Sequence, residues 1–148
     1  MNHWSGKFTL IIITLWVGAL WTTGAVAYVL FNTLQDKQLA GQLAGKFFSY
    51  VSYLGLFSGF FLLIQRLLSD GTLAIKQSYF WAVLVMLLLI LASHFGIQPL
   101  LAQLKANAFP SDVMQSVFAN RFKTWHGVAS IAYVIQCLLG FILVVRNK

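Results

Sequence analysis

Few residues in this chain can carry chemistry: His94, His126, the lone Cys137 and, deep in an apolar run, Gln136. Imidazole is an apt ligand for Zn, Cu or Fe, and two histidines on facing helices can flank a haem or a transition metal. His94 lies near the end of the third apolar run, and His126 sits in "FKTWHG" (122–127) at the start of the fourth. Antiparallel neighbours bring those two ends to one membrane face, so this pair is the cofactor-binding candidate. A third ligand is hard to find, because His3 is at the amino terminus, Cys137 lies deeper in the run than His126, and the chain has only three acidic residues. The alternative role for His126 is a hydrogen bond holding the third loop to the bundle. No nucleophile motif, phosphate-binding glycine loop or paired carboxylate appears, so no catalytic residue is assigned and an enzyme is the less expected class.

The elements that must position these groups are membrane helices. The 148 residues are 59% hydrophobic and 9% charged, against about 25% charged in ordinary soluble domains. Ten Lys and Arg against three acidic residues give a formal charge of +7. These charges are spread between apolar runs, which suits anchors flanking a bilayer and argues against a nucleic-acid partner. One cysteine excludes a disulfide framework. Four runs, roughly 9–31, 47–68, 79–97 and 125–145, lack charge in their interiors and supply the roughly 20 apolar residues a spanning helix needs. Short connections make sequential helices neighbours. The expectation is therefore an all-α, integral membrane four-helix bundle, up-down-up-down, forming a single domain over 1–148. Trp81 and Trp125 stand at run ends as interface anchors. The first run resembles a secretory signal up to Ala25-Val26-Ala27, but it continues apolar through Phe31 and is read as a span.

The first and third loops are expected to carry amphipathic interfacial helices. In "DKQLAGQLAGK", Leu39, Leu43 and then Phe47 fall four apart, one helical stripe leading into the second run. After Pro99, Leu100, Leu101 and Leu104 share a face, and Ser111 or Asp112 can cap a new helix leading to the fourth run. Small residues let membrane helices approach closely. Gly55 and Gly59 make one such stripe, Gly18, Thr22 and Ala25 another, and the two faces are expected to pack together, with a homo-oligomer seam as the alternative. Gln136 is the intramembrane polar group, placed to bridge to Thr22, Thr23 or Ser58. Basic residues tie between the two sides: Lys7, Arg66, Lys76, Arg146 and Lys148 against Lys37, Lys46, Lys105, Arg121 and Lys123. The reading with termini cytoplasmic, in a bacterial inner membrane, rests on the amino terminus and the dispersion of the far-side charges.

"LWVGALW" (15–21), "LAGKFF" (43–48), "GIQPLLAQL" (96–104) and "FKTWHG" (122–127), in this order and spacing, resemble the transmembrane protein 205-like family, whose bacterial members form a domain of unknown function. The resemblance implies a four-span membrane protein with a proline after the third span and a histidine before the fourth, and it brings no established catalytic activity. Trp16-Val17-Gly18 is similar to the Trp-x-Gly of copper-resistance D-type proteins and the membrane protoporphyrinogen oxidase. Phe8 and Thr9 stand where those families place a histidine.

Three functional readings follow. The first is a non-enzymatic accessory, scaffold or transport-associated component. The second is a metal- or haem-binding membrane protein using His94 and His126. The third is an exporter of a small molecule or metal, which would show a polar cavity open to one face.

Overall fold

A computed structural model describes residues 3–146; Lys148 of the charge tally lies outside them, as do the side chains of His3 and Trp4. Five helices form: α1 (His3–Thr33), α2 (Lys37–Asp70), α3 (Ser78–Leu91), α4 (Gln98–Ala108) and α5 (Ala119–Arg146). A wide π turn, Ala92–Ile97, joins α3 and α4 into one helical rod. Taking α3 and α4 together, four helices are long and apolar enough to cross a membrane. α1 and α3 each pack against α2 and α5, which closes an up-down-up-down ring.

Local chemistry sets the helix ends. Asp36 caps α2, its carboxylate accepting from the Gln38 and Leu39 amides at 2.9 and 3.0 Å. Lys37 turns back and donates to the Phe31 and Leu34 carbonyls, satisfying orphan acceptors at the negative end of α1. α2 stops at Gly71, whose φ of 57° is left-handed and whose amide bonds the Leu67 carbonyl. α2 begins ten residues upstream of the 47–68 run, so the first-loop stripe is part of one long helix. Its large residues Leu39 and Phe47 are exposed while Ala40 and Ala44 face inward. Small residues thus do the packing and bulky ones face outward, the arrangement lipid favours.

The expected cap at Asp112 forms, accepting from the Met114 amide at 2.9 Å, but it starts only the short turn Val113–Gln115; α5 begins at Ala119. The helix expected after Pro99 is the continuation of the third rod. Proline has no amide to donate and its ring crowds the carbonyl four residues back. Widening the preceding turn to i→i+5 bonding, as in the Gln98 amide to the Ser93 carbonyl, accommodates Pro99 without ending the helix.

The main core fills the half of the bundle nearer the termini, around Trp16, Ile13, Leu62, Met86, Val83 and Leu143. At that end Arg66 pairs with Asp70 at 3.0 Å and donates to Gln77 at 2.6 Å, Gln77 donates to Asp70, and Arg146 donates to Ser78 at 2.8 Å. Trp81 lies exposed there and donates to the Ile75 carbonyl at 2.7 Å. A second, smaller core of Leu104, Ala108 and Val113, joined by Phe122, sits at the opposite end. Outside, Leu15 and Trp21 of α1, Phe57 of α2, Leu88 of α3 and Phe141 of α5 are all more than half exposed. A soluble monomer does not present such a continuous apolar girdle, so the surrounding solvent is lipid.

The stripe of Gly18, Thr22 and Ala25 faces outward and does not pack on Gly55 and Gly59. α1 is turned so that Trp16, Val17 and Leu20 fill the core, where volume is needed. Gly55 meets Trp16 and Ile90, and Gly59 meets Leu87 of α3. Two glycines outside the expected stripes make the other close approaches: Gly24 against Tyr133, and Gly140 against Val17.

Candidate functional site

Between the two cores the bundle is not filled. α4 packs on α5 and on the Val113–Gln115 turn. Its hydrogen-bonded tie to α2 is Ser49 to Gln98 at 3.3 Å. The gap left between α1, α2, α4 and α5 is a cavity of about 790 Å³, whose lining reaches Lys37, Ser111 and Asp112 at the loop end. Along α5 it runs from Phe122 to Gln136, roughly 21 Å at 1.5 Å per residue.

Its wall is graded. Gln136, 5% exposed, and Ser52 lie at the deep end. Leu20, Phe48, Val51, Leu101 and Val134 line the middle. Tyr133 donates to the Leu20 carbonyl, which fixes its ring edge-on to Phe48 with centroids 5.0 Å apart. Lys37, Lys105, Asp112 and His126 stand toward the mouth. Such a mostly apolar concavity with a few convergent polar groups is the usual form of a small-molecule site.

α2 is 34 residues long, roughly 51 Å, and the hydrocarbon core of a bilayer is only about 30 Å thick. The helix ends therefore project past the hydrocarbon, and the mouth stands at headgroup level.

The structure separates the two histidines by direction. His94, in the π turn, packs edge-on to Tyr53 of α2 at 4.8 Å and to Phe95 at 4.9 Å. His126 points into the cavity and stacks on Phe122, 5.8 Å between centroids and 7° from parallel. Phe122 in turn carries the Lys105 ammonium 5.5 Å from its ring centroid. Among the described residues no group of three or more His, Cys, Asp or Glu is placed to hold a metal ion. Cys137 is buried and free. Gln136 borders the cavity, with Thr22 turned outward and away from it. Trp125 is half-buried in the first turns of α5.

The π turn sets which residues of α4 face the cavity. One extra residue in a turn rotates everything after it by roughly 100° relative to a continuous α-helix. Pro99→Ala is expected to let the turn close and carry Lys105 away from Gly41, where its Nζ now lies 3.7 Å from the position of a Cβ. Spin labels on Gly41→Cys and Lys105→Cys, in a Cys137→Ser background, would read this as a longer distance. An unchanged distance would show that Pro99 does not set the rotation.

The residues sequence reasoning missed at this site are Phe48, Lys105 and Tyr133, which come from three helices and share no motif. A family model described as a domain of unknown function (DUF4149) matches residues 11–110, from the first turns of α1 to the cis Phe109–Pro110 bond. No curated protein and no solved structure matches the chain.

Proposed function

The chain belongs to the DUF4149 family, a domain of unknown function, and from its geometry we propose that it binds a small amphipathic molecule inside the membrane, taking it up through the loop end. The observation that carries this reading is the cavity of about 790 Å³, apolar along its length and polar at its mouth. It favours a ligand carrier or transport component over a scaffold, which needs no internal space.

The four stretches that resemble the transmembrane protein 205-like family support the same site. Leu20, Phe48, Leu101 and Phe122 come one from each of them, and all border the cavity. In a bacterial inner membrane with the termini cytoplasmic, the mouth opens toward the outer leaflet. The protein then acts by holding a ligand and has no bond-breaking step of its own.

The test is native mass spectrometry of the full chain released from mild detergent. One amphiphile per chain, recovered and identified by solvent extraction, is the expected result. A chain that carries no adduct and takes up none from a mixed lipid extract would overturn the reading.

A further inference from the structure

We infer that the ligand is an amphiphile with an anionic headgroup, carboxylate or phosphate, and that the Lys105 ammonium is its counter-ion; this rests on the cavity being a ligand site. Besides the Tyr133 hydroxyl, which bonds the Leu20 carbonyl, four charged or chargeable groups border the cavity, and three are already engaged. Lys37 is spent on the Phe31 and Leu34 carbonyls that end α1. Asp112 accepts from the Met114 amide and holds its turn. His126 lies flat on Phe122.

Lys105 is different. It is half-buried, and the only ion pair among the described residues is Arg66–Asp70 at the other end of the bundle. Its ammonium rests against the face of Phe122, a weak attraction that orients a cation without neutralising it. The Asp112 carboxylate acts on it only from beyond ion-pair distance, and a charge partly withdrawn from water beside an apolar wall is costly until it meets an opposite charge directly. An anionic head at the mouth supplies that charge, and the apolar middle of the cavity takes the chain attached to it. The Phe122–His126 stack, an i,i+4 pair on α5, backs the ammonium and holds it over the mouth.

The experiment compares oleate, lysophosphatidate and oleyl alcohol, which share one chain and differ in the head. Each is titrated into the full chain in phosphatidylcholine nanodiscs, with occupancy read by native mass spectrometry. At least one anion should bind about tenfold more tightly than the alcohol, the order of one charge-assisted contact. Lys105→Gln should bring the anions down to the level of the alcohol measured on the same variant, and Lys105→Arg should restore the preference. Whether oleate or lysophosphatidate is preferred names the head as carboxylate or phosphate. Equal binding of all three, or an anion preference that survives Lys105→Gln, overturns the assignment while leaving the cavity reading intact. Failure of every ligand to bind overturns both. A thermal melt of each variant confirms that the fold survives the change.

Discussion

Gly55→Leu is expected to abolish the folded bundle. A Cβ at Gly55 would lie 2.5 Å from Ile90 Cδ1 and 2.8 Å from Trp16 Nε1. The isoleucine methyl can swing aside, but the indole of Trp16 is fully buried and locked among α1, α2 and α3. Replacing a helical glycine by alanine gains about 1 kcal/mol in propensity, whereas overpacking a dense core costs about 1–3 kcal/mol for small additions. Clash therefore wins even for alanine. The three further carbons of leucine would push the helices apart where no lipid or water can fill the gap. The measurement is size-exclusion behaviour and thermal unfolding in detergent: Gly55→Ala should be folded with a lowered midpoint, and Gly55→Leu should aggregate or fail to give a cooperative transition. A Gly55→Leu protein as stable as the parent would show that the Trp16 seam is not as close as described.

Gly45→Phe is expected to do the opposite, abolishing ligand uptake while leaving the fold intact. Gly45 borders the cavity, and a Cβ there meets nothing within 4 Å. The added ring would occupy the space the ligand needs without striking a wall. Its helix is, if anything, strengthened, because glycine in a helix interior costs about 1 kcal/mol relative to alanine. Amphiphile binding in nanodiscs and the melting midpoint, measured side by side, separate the two effects. Lost binding with an undiminished midpoint is the expected pair, and Gly45→Ala should retain binding. Full binding by a folded Gly45→Phe protein would place the ligand elsewhere.

The two glycines show what could and could not be read from the chain. Apolar runs and the turn residues between them made four helices in a bilayer legible, since each signal is local. The azimuth of each helix was not. Gly18–Thr22–Ala25 and Gly55–Gly59 look alike as sequence, and only the need to bury Trp16 decides that the first faces outward. The histidines show the same limit: their heights along the bundle are readable, but not that His94 turns toward Tyr53 and His126 lines the cavity. The apolar run ends at Ile97, ahead of Pro99, and nothing local says that one helix continues through the proline. A widened turn was the less obvious remedy, and it keeps a rod running where a break would have exposed backbone. The cavity had no local signal at all, being made of ordinary lining residues from four helices that stop short of one another.

The closed end has a consequence for traffic. Below Gln136 the space is plugged by Trp16, Leu62 and Met86, and the ends beyond are latched by the Arg66–Asp70–Gln77 cluster and the Arg146–Ser78 contact. The molecule is therefore a cup and not a conduit. Under the binding role proposed above, loading and unloading would share one doorway, so cargo would exchange with a single leaflet and filling would halt at equilibrium with it. Net vectorial flux would require the latch and the plug to yield together, or a recipient waiting at the rim.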